Sequence, residues 1–291
     1  MKILITGSNG QLGRTIQSIV KDNPQFFFAD INSLDITKKK QIEFYVKTNN
    51  ITCIVNCAAY TDVEGSEIEK EKANNLNTYA VKNLVEIAET FKLRLIHIST
   101  DYVYNGIDKS PISEHEHINP QNHYGISKLN GEKYINKSNS ESITIRTSWL
   151  YSSYGKNFVK TIIENSKSKN LLKIVNDQFG CPTNAYDLAN AIIKIIYVRH
   201  KIDGISKNFN FSNLGYTSWF DFAKIIIEET KSSCKLEKIN TYEISQLAKR
   251  PKFAITNKTK IISAFNLEIP HWKKSLCKFL KTLKKENLNL F

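Results

Sequence analysis

Cysteine is scarce in this chain and has no pattern: five residues, at 53, 57, 181, 234 and 277, none in a CxxC pair. An odd, scattered set argues against a disulfide framework and a structural zinc site, and points to reduced, partly buried thiols. Long hydrophobic runs are missing too. The first apolar stretch, "ILIT", is far too short for a signal peptide. No later run approaches the roughly 20 apolar residues that a membrane span needs. A soluble, cytoplasmic protein without a membrane partner is expected. Low-complexity tracts and fixed-period repeats are also lacking, so the chain should fold throughout.

Acidic residues are the other deficit. Against 41 Lys and Arg stand 28 Asp and Glu, a net charge of +13, which raises nucleic-acid binding as a reading. The lysines form runs only at 38–40, 273–274 and 284–285, and no nucleic-acid module accompanies them. The excess therefore reads as solvated surface, and no nucleic acid is expected as partner. At 291 residues the chain exceeds the usual single-domain size, which suggests one larger and one smaller lobe.

What is present is alternation. "KILIT" (2–6), "FFFAD" (26–30), "TCIVNCA" (52–58), "RLIHIST" (94–100) and "ITIRTSW" (143–149) read as strands buried on both faces. Helix-length patterns separate them, clearest in "NLNTYAVKNLVEIAETF", where Leu76, Ala80, Leu84, Ile87, Ala88 and Phe91 recur at helical spacing. Such β-α alternation implies right-handed crossovers and an α/β, Rossmann-like doubly wound parallel sheet over residues 1–150. Beyond 150 the rhythm loosens: helical patterns near 157–168, 185–199 and 218–230 are separated by the short apolar runs "LLKIV" and "NFNFS". Residues 151–291 are expected to form mainly a smaller substrate-binding α/β lobe, with the helix near 185–199 packing back on the large sheet. The terminal "HWKKSLCKFLKTLKK" reads as a basic amphipathic helix docked on the core through its apolar residues.

Two stretches carry chemistry. Directly after the first strand, "GSNGQLG" places Gly7, Gly10 and Gly13 in a G-x-x-G-x-x-G spacing before a helical pattern. Glycines there permit a tight turn and close approach of a diphosphate to N–H groups at a helix start. Asn9, Gln11 and Leu12 share the turn and are expected to bind the cofactor with it. Asp30 closes the second strand, where a carboxylate can take the ribose hydroxyls, or serve only as a turn residue. That geometry favours NADH, whereas Arg14 beside Gly13 could meet a 2'-phosphate, so NADPH or NADH is expected. Asp35 could cap the next turn or approach the adenine. Ala58 and Ala59, after the third strand, leave room for the cofactor.

The second stretch is "NHYGISKLNGEK", which sets Tyr124 and Lys128 four residues apart at a helix start, on one helical face. "STDYVYNG" follows the fourth strand, and its Thr100 points a hydroxyl toward the crevice of the sheet. A phenol of pKa about 10 is a sluggish acid, and a nearby ammonium moves it toward neutrality. Tyr124 is then the expected proton donor. Thr100 would hold the substrate carbonyl and stabilise the developing alkoxide, and Lys128 would also bind the nicotinamide ribose.

Here the sequence resembles a known family. "ILITGSNGQLG", "VNCAAYTDVE", "HISTDYVYNG", "YGISKLNGE", "RTSWLY", "NFVKT", "NDQFGCPT" and "AKRP" together look like the dTDP-4-dehydrorhamnose reductases, within the extended short-chain dehydrogenase/reductases. The resemblance spans almost the whole chain, and "RTSWLY" followed by "NDQFGCPT" is its most specific part. It implies reduction of the 4-keto group of a nucleotide-linked 6-deoxyhexose, dTDP-4-dehydro-L-rhamnose to dTDP-L-rhamnose, with hydride from NAD(P)H and the proton from Tyr124. By the same resemblance Asp101 and Tyr102 lie with Thr100 on the substrate side. Trp149 lines the sugar pocket, Asn157 and Arg250 lie on the nucleotide-sugar side, and Gln178 and Pro182 shape the crevice. Trp149 could instead be core, and Arg250 a surface ion-pair partner. Family members that dimerise through magnesium use glutamates. Here the helix after Gly13 begins "RTIQ", so no metal is expected, and the chain should be a monomer or homodimer. "VEGSE" at 63–67 departs from the commoner "VDKAE". Two competing readings are a reductase or epimerase/reductase acting on another nucleotide 4-keto sugar, and a non-catalytic regulatory subunit of the same fold.

Overall fold

A computed structural model describes residues 1–107, 109–198 and 207–286. The first half alternates strand and helix: β1 Ile3–Thr6, α1 Gln11–Val20, β2 Phe26–Ala29, α2 Lys39–Asn49, β3 Cys53–Asn56, α3 Gly65–Ile68, α4 Lys70–Asn74, α5 Ala80–Phe91, β4 Arg94–Thr100, α6 His123–Lys137 and β5 Ser142–Thr147. There follow β6 Leu150–Tyr151, α7 Phe158–Ser168, β7 Leu171–Val175, β8 Phe179–Gly180, β9 Thr183–Asn184, α8 Ala185–Tyr197 and β10 Asn208–Asn210. The chain closes with β11 Thr217–Ser218, α9 Trp219–Thr230, β12 Lys235–Ile239, β13 Phe253–Ala254, α10 Thr259–Phe265 and α11 Trp272–Glu286.

Six strands form one parallel sheet in the order β10-β5-β4-β3-β1-β2. Ile3, Leu4, Ile5, Ile54 and Val55 are wholly buried, as a sheet covered on both faces requires. One face packs against α1, α8 and α10 through Ile16, Ile192 and Phe265, and the other against α2, α5 and α6 through Ile42, Leu84 and Ile135. The strand order reverses at β1, which has β2 on one side and β3 on the other, so a crevice opens at the C-terminal ends of β1 and β3. A separate apolar cluster joins α7, α9 and α11 through Ile162, Phe222, Leu276 and Leu280.

Four expectations need correction. "NFNFS" does not serve the smaller lobe: β10 pairs with β5 and extends the large sheet. Phe209 is 1% exposed and stacks edge-on against Phe265, burial that a two-stranded ribbon cannot supply. The fifth strand stops at Thr147 rather than running to 149, because Trp149 takes a left-handed backbone, φ 46°, that breaks the extended chain. The third strand likewise ends at Asn56, freeing Cys57 to Ala59 to form the loop beside the glycine turn. The helix read over 75–91 is α only from Ala80, since Asn75–Tyr79 form a π-turn that swings Asn77 toward Tyr60 and Ser127. The helix near 185–199 covers Ala185–Tyr197 and packs on the large sheet; residue 199 lies outside the described residues. The terminal helix buries Leu276, Phe279, Leu280 and Leu283 as its pattern requires. Among the described residues no helix is long and apolar enough to cross a membrane.

Candidate active site

The glycine turn is built by exclusion. Gly7 sits at φ +64°, and a Cβ on it would lie 2.6 Å from the Ala58 nitrogen; one on Gly13 would lie 2.5 Å from the Gly7 oxygen. Side chains there would prise the turn from the loop after β3. Helix α1 starts after Gly10 with no side-chain cap and no acidic residue in its first turn. Its leading N–H groups therefore have neither intrahelical acceptors nor a capping oxygen, and they suit an anionic diphosphate. The turn thus fits a dinucleotide.

Its neighbours divide the work. The Asn9 amide donates to the Asp30 carboxylate, whose other oxygen accepts from Asn32 and Ser33 N–H, each at 3.1 Å. Those bonds, Ser33 foremost, hold the Asp30 carboxyl below its usual range. Asp30 is thus a turn organiser as well as a ribose candidate. The Leu12 side chain is in the sheet core, so its backbone is what it presents at the turn. Gln11 Oε1 accepts from Ser152 Oγ and Asn157 Nδ2, each at 3.1 Å, and so ties the turn to the second half of the chain. Arg14 lays its guanidinium over the Tyr154 ring at 5.1 Å. Asp35 caps Thr37, with its carboxylate 2.9 Å from the Thr37 nitrogen, and also lines an open cleft of about 650 Å³ flanked by Ile31 and Ile68.

Thr100 ends β4 at the crevice. Its Oγ1 donates to Asp101 Oδ1 at 3.1 Å and accepts from the Tyr102 nitrogen at 3.2 Å, and its side chain is near enough to the Tyr124 phenol to bias its ionisation. Tyr124 stands in the first turn of α6, which Asn122 caps by accepting from Gly125 N–H at 2.8 Å. The Tyr102 ring meets it edge-on at 5.6 Å. Burial pushes the Tyr124 phenol up to about 12, against the pull of the neighbouring Thr100 side chain and with a further push from Asp101. Asp101, 2% exposed with Oδ2 unpartnered, is itself raised to about 7 by burial.

Lys128 lies one turn along, 1% exposed. Its nitrogen does not reach the phenol as expected. It donates to the Ile98 carbonyl at 2.6 Å and lies 3.4 Å from His97 Nε2, and so does not offset the upward shift of Tyr124. Burial pushes the Lys128 amine down to about 8, against the attraction of Glu132 and Cys57. The acidifying pair therefore needs the amine to leave this inward seat.

On the far side, Trp149 stacks on Trp219 with ring centres 3.4 Å apart and planes 9° from parallel, over Gly180, where a Cβ would lie 2.5 Å from the indole. Asn157 caps α7 and donates to the Ser152 carbonyl at 2.8 Å as well as to Gln11. Gln178 is buried and donates to Thr241 Oγ1 at 3.1 Å, an internal latch. Arg250 pairs with Glu64 of "VEGSE" at 2.7 Å and donates to Gln246 Oε1 at 2.7 Å, and its charge favours the buried Tyr102 phenolate, while one quarter of its side chain stays exposed. Pro182 offers its carbonyl to Asn213 N–H at 3.3 Å. Trp219, His97 and Asn56 were not anticipated. A lone histidine between the isoleucines of a buried strand, three residues before Thr100, was the available signal for His97.

A crevice at the reversal of a parallel sheet, a glycine turn at a free helix start, and a Thr-Tyr-Lys set at its rim define an extended short-chain dehydrogenase/reductase. The family model described as the RmlD substrate binding domain matches residues 1–285. A dTDP-4-dehydrorhamnose reductase of Aggregatibacter actinomycetemcomitans is 35% identical over 287 residues, covering 94% of this chain and 97% of the relative. A crystal structure of such a reductase from Clostridium acetobutylicum superposes with a TM-score of 0.91 at 36% identity, covering 98% of this chain and all of that one. Another, from Bacillus anthracis in complex with NADP, gives 0.90 at 34%, covering 97% of this chain and 100% of that one. The chain belongs to the dTDP-4-dehydrorhamnose reductase family.

Proposed function

We propose that this protein reduces the 4-keto group of a nucleotide-linked 6-deoxyhexose, dTDP-4-dehydro-L-rhamnose to dTDP-L-rhamnose, using NADPH or NADH. The observation that carries the reading is the buried Tyr124 phenol in the first turn of α6, set beside Thr100 where β4 ends, on the same edge of the sheet as the glycine turn. Bound at that turn, the dinucleotide supplies the hydride. Gly7, Asn9, Gly10, Gln11, Gly13 and the Leu12 backbone hold its diphosphate; Asp30 takes a ribose, and Ala58 and Ala59 leave it room. The cleft flanked by Ile31 and Ile68 offers apolar walls for the adenine.

Tyr124 is the proton donor to the alkoxide oxygen, and Thr100 holds that oxygen in line. Lys128, once charged and turned outward, stabilises the phenolate and binds the nicotinamide ribose. Asp101 and Tyr102 bound the sugar pocket, Trp149 covers the sugar, and Asn157, Gln178 and Arg250 shape the nucleotide-sugar side. Residues 1–150 form the dinucleotide half, and 151–291 mainly the substrate half, with α8, β10 and α10 returned to the large sheet. Five free cysteines support a cytoplasmic setting, and a monomer or homodimer is the working state.

The test is NAD(P)H oxidation by the purified protein over a panel of nucleotide 4-keto sugars, beside Tyr124→Phe. Turnover of the dTDP sugar that the variant loses is the expected outcome. Turnover of a different panel member alone would move the assignment to that sugar, and failure with all of them would favour a non-catalytic subunit.

A further inference from the structure

Thr6, Asn56 and His97 occupy one rung of the large sheet, because the parallel register pairs Thr6 with Asn56 and Asn56 with His97. All three are buried to 1% exposure or less, so their polar atoms must be satisfied internally. Asn56 Oδ1 accepts from Thr6 Oγ1 at 2.7 Å and from Ala58 N–H at 3.2 Å. A backbone N–H only donates, and that contact fixes which end of the amide is oxygen. Asn56 Nδ2 then faces His97 Nδ1 at 3.0 Å and must donate to it. Burial, with Lys128 adding to it, holds the imidazole neutral, so its single proton sits on Nε2.

That proton points at Lys128 Nζ, 3.4 Å away. An ammonium there would set donor against donor, since it has three N–H groups and no lone pair. The neutral amine accepts from Nε2–H while donating to the Ile98 carbonyl at 2.6 Å. The inward seat thus favours the amine, and a charged Lys128 is better served at the crevice.

We propose that Thr6, Asn56 and His97 form a positioning relay that sets the His97 tautomer and thereby seats Lys128 inward when neutral and turns it toward the crevice when protonated. The proposal rests on the role given to Lys128 above. His97 and Asn56 act through the lysine and are positioning residues. The other ionisable groups around Lys128 are Glu132, tied to Arg146, and Tyr124 on its own helix, and Cys57 after β3. Toward the π-turn, α6 meets Asn77 and Thr78 through Ser127, none of which ionises in this range.

The relay is tested by long-range ¹H–¹⁵N histidine spectra of the full chain, with His97 assigned by its loss in His97→Leu. A wild-type Nε2–H tautomer is expected. Asn56→Asp keeps acceptors for Thr6 and Ala58 but replaces the donor facing Nδ1, so the proton should move to Nδ1 and leave Nε2 to accept from a charged Lys128. The alkaline limb of kcat/KM, and of NAD(P)H binding, should then rise by about one pH unit. A carboxylate at 56 also attracts Lys128 directly, so the same substitution in a His97→Leu background is the control, where roughly half the rise or less should remain. An Nδ1–H tautomer in the wild type, or an equal rise with and without His97, overturns the relay. Lack of turnover with every sugar sinks the reductase reading instead, and the relay is still decided by the tautomer and by cofactor binding.

Discussion

Helix α6 carries two buried ionic groups one turn apart, and they are treated in opposite ways. Glu132 and Arg146 are both fully buried and meet through three hydrogen bonds of 3.1, 3.2 and 2.6 Å. Arg146 goes on to Tyr104 at 2.8 Å, Tyr104 to Asn210 at 2.9 Å, and Asn210 N–H to Glu114 at 2.8 Å. Burial alone would lower the Arg146 pKa, and Glu132 overrides it and holds the guanidinium charged. Lys128 is as deeply buried but bonds only a carbonyl and an imidazole, and its amine is pushed down to about 8. Equal burial with an anion in contact gives a fixed joint between α6, β5 and β10. Without one it gives a group able to change charge near neutral pH.

The largest effect that would test this contrast is at the catalytic end. Tyr124→Phe should lower kcat by about 10²–10⁴-fold with NAD(P)H binding retained. A loss below tenfold in stopped-flow turnover would remove Tyr124 as the donor.

At the structural end, Arg146→Met should cost about 3–5 kcal/mol in urea denaturation, because it strands a buried carboxylate. Adding Glu132→Leu should restore most of that. If the single variant is as stable as the parent, the pair is not the joint described.

The pH behaviour sharpens the comparison further. A folded-state pKa of about 8 against an ordinary 10.5 means the folded chain binds fewer protons between those values. Activity that needs the ammonium should fall as pH rises through about 8, while the Lys128 contribution to stability grows from there to 10.5. That contribution is on the order of 3 kcal/mol and is lost again as pH falls through the folded value. Lys128→Met should abolish this slope in pH-resolved denaturation; an unchanged slope would assign it to another group. The smallest effect belongs to the aromatic stack. Trp219→Leu should remove about 0.5–1.5 kcal/mol of support for Trp149, read as a KM increase of up to about tenfold with kcat nearly constant.

The parallel half was legible because both of its signals are local. Strands such as "RLIHIST" declare burial by composition, and β4 spans that stretch, Arg94–Thr100. The glycines of "GSNGQLG" announce a turn only glycine can make, and Gly7 takes the left-handed backbone that such a turn uses. Tyr124 and Lys128 were legible as a pair by helical spacing. β10 was not, because three residues, Asn208–Asn210, carry too little pattern to say which sheet they join. Trp149 was placed in a strand because "ITIRTSW" is rich in β-branched residues and ends on an aromatic, both favoured in strands, and only the positive φ at that residue reveals the turn.

Sequence alone determined the doubly wound architecture, the place of the glycine turn and the identity of the hydroxyl, phenol and amine, since periodicity and steric limits act over a few neighbouring residues. Tertiary structure decided where the Lys128 amine points, that Asn56 and His97 stand behind it, and that Trp219 backs Trp149. Those facts depend on register between strands and on packing between segments 70 residues apart in the case of the two tryptophans. No local pattern encodes which polar atoms will face one another once water has been excluded.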